Sequence, residues 1–331
     1  MTRPISLLLS ALLFTTILGC ASTPTQAQGG RLLGIGNKAI GGGALTWSDE
    51  VIYNGWRIQK HAVIGHYRLL DPKGYKVAIG SFENCEEKFY EARRDQAIPE
   101  LPKHVVIVIH GLGATRNYMQ GLADELTEKG NFATVNVGYP STMGKIEDHS
   151  DSLASVIRHL EGVETIDFVA HSMGNIVTRH YLYDLSQLPE DQRPKVKFRR
   201  MVMISPPNHG AGMANKWAGN KLAQMFAGEP LNQLAPDLGW PELEKQLVTP
   251  DFEFGVLAGG KGDEEGYLAS IPGDDDALLS VETMKLAGAN DFIQVKGIHQ
   301  LMAKYKSVRE NTLNYLQNGY FHTAETRQPI N

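Results

Sequence analysis

The sequence predicts an α/β domain built on a mostly parallel central sheet, and three observations predict it. Apolar, β-prone runs recur from residue 105 onward. Helical patterns fall between several of them. The 331-residue chain is long enough for one large domain with insertions. Strands alternating with helices pair in parallel and carry helices on both faces.

From the N-terminus, residues 1–20 read as a secretory signal. Arg3 supplies a weak positive region, and Ile5 to Leu18 form an apolar run shorter than the ~20 residues of a membrane span. The run ends in "ILGC" (Ile17 to Cys20), which resembles the lipobox of bacterial lipoproteins. That resemblance implies acylation of Cys20 and a membrane anchor at the bacterial envelope without a transmembrane helix. The alternative is plain secretion, with cleavage after a small residue such as Ala21 or Ala27. Residues 21–46, rich in Gly, Thr, Ser and Gln, predict a flexible tether.

Residues 47–100 predict a small antiparallel β extension. "WRIQKH", "GHYRLL" and "YKVAIG" are short β-prone runs, and "DPKG" is a turn between two of them. Cys20 and Cys85 are the only cysteines, so a disulfide scaffold is excluded once Cys20 is acylated. Cys85 sits in "ENCEEK", an acidic segment expected to be exposed, where carboxylates disfavour a thiolate.

The main domain spans residues 101–320. Its expected strands are Val105–Ile109, Phe132–Val137, Ile166–Ala170, Arg200–Ile204, Phe252–Leu257 and Phe292–Val295. Its expected helices are Tyr118–Lys129, Lys145–Leu160, Asn175–Leu185 and a closing helix Met302–Gln317 with Gly319 near its end. Residues 208–250 form an insertion longer than an ordinary connection. There Met213, Trp217, Leu222, Met225 and Phe226 recur near the helical period. They make either a helix packed on the domain or a lid-like cover over a cleft. Residues 321–331 read as a C-terminal tail. The net charge of −5 argues against nucleic acid as a partner, and the basic run Arg193 to Arg200 reads as a solvated loop.

Chemistry concentrates in three places. "FVAHSMGN" puts Ser172 where a strand meets a helix, flanked at two residues by Ala170 and Gly174. Such a turn needs small neighbours, raises the side chain above the sheet, and aims helix N–H groups at it. "VIVIHGLGAT" ends a strand in His110-Gly111 and a flexible glycine loop. "GIHQLM" puts His299 just after the last strand, where an imidazole titrating near neutrality can shuttle a proton. "PGDDDALLSVETMKL", upstream of it, supplies carboxylates to orient that imidazole.

Together, "VIVIHGLGATRNYM", "FVAHSMGNIVTRHYL", "ISPPNHGAGMA", "IPGDDDALLSVETMKL" and "FIQVKGIHQLM" resemble bacterial α/β-hydrolase lipases and esterases, and the lipase-like inositol-deacylase group. The resemblance covers roughly residues 103–317. It implies an α/β-hydrolase fold, Ser172 as nucleophile and His299 as general base. It also implies an oxyanion hole from the N–H groups of Leu112 and Met173. His110, Gly111 and Gly174 match the supporting motif. "DALLSVET" fits the family's acid run from Asp276, with Ala277 in place of a glycine; Asp275 or Asp274 serves if the loop is shifted, with Asp275 ranked second. His209 is expected to be structural, and His171 to point away from the nucleophile. The three aspartates read as a solvated turn rather than a calcium site. The implied activity is hydrolysis of an ester or lipid without a cofactor or metal. An acyltransferase or amidase using the same residues is an alternative. So is a noncatalytic lipid- or partner-binding lipoprotein.

Overall fold

The computed structural model describes residues 45–218 and 221–331, without the side chains of residues 217–226. The signal segment, Cys20, the tether up to residue 44, and the side chains of Trp217, Leu222, Met225 and Phe226 therefore lie outside the described residues.

The described chain opens with an antiparallel meander: β1 (Trp47–Tyr53), β2 (Trp56–His61), β3 (Tyr67–Leu70) and β4 (Lys76–Gly80), paired in that order. Asn54 and Gly55, both at positive φ (46° and 84°), close the first hairpin with a two-residue turn. Helix α1 (Phe82–Asp95) follows, a departure from the all-β expectation. Ser81 caps it by accepting from the Asn84 N–H, Glu83 lies in its first turn, and Arg93 and Arg94 in its last, in line with the helix dipole. It buries Cys85 and Phe89, four residues apart. Cys85, expected to be exposed, is fully buried. The acidic neighbours face solvent while the thiol faces the sheet.

The main sheet has six parallel strands: β5 (His104–Ile109), β6 (Ala133–Val137), β7 (Thr165–His171), β8 (Lys197–Ile204), β9 (Glu253–Gly260) and β10 (Asp291–Lys296). Their order is β10-β9-β8-β7-β5-β6, with every neighbouring pair parallel. Helices α2 (Arg116–Gly130), α3 (Ile146–Arg158) and α4 (Met173–Gln187) supply the first crossovers. Val106, Val108, Val169, Val202 and Leu257 pack against Met119, Leu122 and Leu126 of α2, and against Val308, Tyr315 and Leu316 from the C-terminal end. Both faces are covered, so "HVVIVI" reads as a continuous apolar run rather than an alternating one.

The insertion folds into α5 (Gly212–Ala218), α6 (Lys221–Gln233) and α7 (Trp240–Leu243). Gly228, at φ 66°, breaks α6, and a β-carbon there would meet the Thr142 carbonyl oxygen at 2.2 Å. Helix α8 (Val281–Met284) and the closing helix α9 (Lys306–Asn318) complete the described elements. Gly319 ends α9 in the left-handed conformation at φ 79°. Beyond it the chain stays docked: Phe321 is buried, and Ile330 exchanges backbone hydrogen bonds with Gly288 and Ala289.

The basic run is a second correction. Its latter half is β8, not a solvated loop. Arg199 pairs with the buried Asp167 and donates to the Leu316 carbonyl, and Arg200 pairs with Glu253. The cations tie the N-terminal ends of the strands to α9. Among the described residues no helix is long and apolar enough to cross a membrane.

Candidate active site

The C-terminal edge of the parallel sheet gathers the groups singled out in the sequence. Ser172 ends β7 and begins α4 with φ 54° and ψ −128°, a conformation that L-residues rarely adopt. The turn is held from both sides. The Ser172 N–H donates to the Ile204 carbonyl (2.9 Å), and the Asn175 amide donates to the Ser172 carbonyl (2.9 Å). Gly174 explains why the motif needs a small residue: a β-carbon there would lie 2.6 Å from the His110 carbonyl oxygen and 2.9 Å from that of Ile109. At Gly111 it would lie 2.7 Å from the Ser172 β-carbon. Elbow and glycine loop therefore touch backbone to backbone.

His299 opens a short 3-10 turn after β10. Its Nε2 accepts from the Ser172 hydroxyl at 2.8 Å, and its Nδ1 donates to Asp276 Oδ2 at 2.7 Å. The two bonds require one tautomer of the neutral ring, with the proton on Nδ1. Asp276 is fully buried. Its second oxygen accepts from the N–H groups of Leu278 (3.1 Å) and Leu279 (2.8 Å), so the carboxylate is fixed and its charge compensated. The His299 N–H returns to the Asp276 carbonyl at 2.7 Å, locking the two loops together.

The three consecutive aspartates divide their work. Asp275 faces the other way, accepting from Ala277 N–H (2.7 Å) and Leu268 N–H (3.1 Å), and burial raises its pKa. Asp274 gathers the N–H groups of Lys261, Gly262 and Asp263. The segment is thus not a solvated turn: Asp275 and Asp276 are both fully buried, and each carboxylate organises a separate stretch of backbone. Ala277, where the family carries glycine, sits at φ 72°. Among the described residues no group of His, Cys, Asp or Glu is arranged to hold a metal.

Leu112 follows Gly111 in the glycine loop and Met173 follows Ser172 at the start of α4, and neither N–H has a hydrogen-bond partner among the described residues. His110 is a brace. It is fully buried, and desolvation lowers its pKa to about 4, against a smaller opposing effect of its bond to Gly111. Its Nδ1–H donates to the Gly111 carbonyl (2.9 Å), Nε2 accepts from the Tyr139 N–H (3.4 Å), and the Tyr139 ring stacks on it at 4.3 Å. Sequence reasoning did not find Tyr139; its place just past a strand end in "GYPS" was the available signal. His171 makes no side-chain hydrogen bond to Ser172 and turns to His299 instead. Its ring packs 4.9 Å from that of His299, and its Nε2–H donates to the His299 carbonyl (3.1 Å). Burial, then the neighbouring His299, holds its pKa well below the usual value. His209 is exposed and makes no contact with these groups.

Residues 99–223 match the model of a family described as "Putative serine esterase (DUF676)". Among solved structures, the product of gene lin2722 from Listeria innocua is 18% identical, with a TM-score of 0.49 over 70% of this chain and 99% of that one. Phospholipase PlaB from Legionella pneumophila is 21% identical, with a TM-score of 0.40 over 55% of this chain and 45% of that one. The metagenomic carboxyl esterase MGS0156 is 14% identical, with a TM-score of 0.46 over 61% of this chain and 66% of that one. No curated protein matches the chain. The sheet order, with its serine elbow after β7, is that of an α/β-hydrolase, and the matched segment is similar to serine esterases. That match, over residues 99–223, supports an ester-hydrolysing activity.

Proposed function

We propose that the chain hydrolyses carboxylic esters through an acyl-enzyme on Ser172. The observation that carries this reading is the unbroken hydrogen-bond run from Ser172 Oγ through His299 to Asp276, at 2.8 and 2.7 Å. His299 takes the hydroxyl proton as Ser172 attacks the ester carbonyl, and Asp276 stabilises the imidazolium that forms. The Leu112 and Met173 N–H groups receive the oxyanion. His299 then protonates the leaving alcohol, and water repeats the sequence to release the acid. Medium or long acyl chains are the proposed substrates, supported by the apolar residues of the insertion. Acylation of Cys20 would hold the enzyme at the bacterial envelope, in reach of lipid esters.

The test is turnover of p-nitrophenyl esters of short, medium and long chain by residues 21–331 and by its Ser172→Ala variant. Wild-type activity that peaks at medium or long chains, and is lost in the variant, is the expected result. A wild type that neither turns over nor reacts with a fluorophosphonate would sink the reading in favour of a noncatalytic lipoprotein. Transfer of the acyl group to an added alcohol in preference to water would make it an acyltransferase. Palmitate incorporation that persists in Cys20→Ser would remove the anchor.

A further inference from the structure

The N-terminal meander reaches toward the serine through contacts centred on Asp49. Asp49, on β1, is fully buried, and its partners form a pincer on Gly138, the residue after β6. The Asp49 N–H donates to the Gly138 carbonyl (2.8 Å), and the Gly138 N–H donates to Asp49 Oδ2 (2.7 Å). Gln59 and Arg57, both on β2, hold the carboxylate from the other side. Arg57 also donates to the Asn136 carbonyl (3.0 Å), so the grip extends along the end of β6.

What Gly138 holds is the approach to Tyr139. The Tyr139 hydroxyl donates to the His110 carbonyl at 2.6 Å, while its ring lies flat on the imidazole at 7°. His110 in turn donates through Nδ1 to the Gly111 carbonyl. The Gly111 carbonyl and the Leu112 N–H belong to one planar peptide and point opposite ways. Fixing that oxygen fixes the direction of the N–H on the other side. A second contact repeats the arrangement further along the loop, where the Ser141 hydroxyl donates to the Ala114 carbonyl (3.1 Å).

We propose that Asp49 is a positioning residue for the Leu112 oxyanion donor, acting through Gly138, Tyr139 and His110. The N-terminal meander is then part of the catalytic apparatus. The inference rests on the serine-hydrolase reading above. Asp49 does not touch substrate, so its removal alters how well the transition state is held, not how the ester is bound.

The experiment compares wild type, Asp49→Asn, Tyr139→Phe, the double variant and Ser48→Ala. Ser48 is the neighbouring buried residue of β1, and its hydroxyl ties the strand to Ser152 of α3 (2.6 Å), away from the loop. Active sites are counted with a fluorophosphonate. kcat and KM are measured on a p-nitrophenyl ester, together with inhibition by an alkyl trifluoromethyl ketone, whose adduct places an oxyanion in the hole. The expected result for Asp49→Asn is a kcat lower by roughly tenfold to a hundredfold per titrated site, with KM within about twofold. The ketone weakens by the same factor, and the double variant loses no more than the worse single one. Ser48→Ala lowers the melting temperature and leaves kcat per site unchanged.

An unchanged kcat per site in Asp49→Asn overturns the inference, whatever the melting temperature. So does a fall in kcat without a matching fall in ketone affinity, an equal fall in Ser48→Ala, or additive losses in the double variant. Should Asp49→Asn not fold, Tyr139→Phe against Ser48→Ala carries the same comparison with a single oxygen removed. A wild type that is neither active nor labelled overturns the serine-hydrolase reading and this inference with it. An active wild type with an unaffected Asp49→Asn overturns this inference alone.

Discussion

Two serines follow neighbouring parallel strands at positive φ, and only one meets a histidine at its hydroxyl. Ser172 follows β7 at φ 54°, and Ser205 follows β8 at φ 43°. Both are buried, and both N–H groups donate to the next strand over, Ser172 to Ile204 and Ser205 to Leu257. After Ser172 comes a helix whose N-terminus faces the hydroxyl, and His299 stands 2.8 Å away. After Ser205 come two prolines, and its hydroxyl accepts from the Gly259 N–H at 3.2 Å. Backbone strain at a strand end is thus not a signature of catalysis. What the hydroxyl meets, and what the chain does next, decides between a nucleophile and a staple.

The largest effect should separate the two. Ser172→Ala is expected to remove activity by a factor on the order of a million while leaving stability nearly unchanged. Ser205→Ala should keep activity and lose about 2 kcal/mol of stability, because the buried Gly259 N–H is left without an acceptor. Urea unfolding and ester turnover on both variants check this. A folded Ser205→Ala without activity would break the distinction.

The aspartates sharpen it next. Asp276→Asn should cost about four powers of ten in kcat, since the amide favours the wrong imidazole tautomer. Asp275→Asn should retain most of the rate and lower the melting temperature, because that carboxylate braces only backbone. The reverse pattern would transfer the acid role to Asp275.

Acid tests the buried histidines behind the serine. The folded pKa of His110, about 4, lies below its unfolded value of about 6.5. Between those values the unfolded chain binds more protons, so this stability is complete above pH ~6.5 and is lost as pH falls toward 4. His110 alone contributes about 3 kcal/mol over that window. His149, its pKa lowered to about 3 mainly by burial, and His171 act in the same direction. Urea midpoints that stay flat from pH 7 to 4.5 would contradict this. The smallest effect belongs to Ala277→Gly. Glycine tolerates φ 72° without the side-chain penalty, so stability should rise or hold within about 1 kcal/mol, with kcat unchanged.

The parallel sheet and the elbow were legible because their signals are local. An apolar run bounded by a turn, or a serine with small residues on either side, is written within ten residues. The order of strands, helices and site residues follows the sequence reading closely, with boundaries shifted by one to four residues, as at Met173–Gln187 against the expected 175–185 and at Lys306–Asn318 against the expected 302–317. Helix α1 was missed because its apolar stripe is only Cys85 and Phe89 among charged neighbours; the Ser81 cap and the arginines of its last turn were the signals to read. The basic run misled because Arg199 and Arg200 find their anions in Asp167 and Glu253, strands away in sequence. Asp49 was invisible for the same reason, and Tyr139 showed only its place past a strand end: each gains its meaning from a partner tens of residues distant.

The close approach of Gly174 to the carbonyls of Ile109 and His110 has a consequence for how such an enzyme diversifies. Where two main chains meet with no side chain between them, neither can drift without dragging the other. The reaction centre is then a fixed point in sequence space, closed to gradual retuning. Novelty in substrate has to be written in the side chains around it, and a library that spares residues 110–111 and 172–174 while varying the insertion will retain far more active members than one that does the opposite.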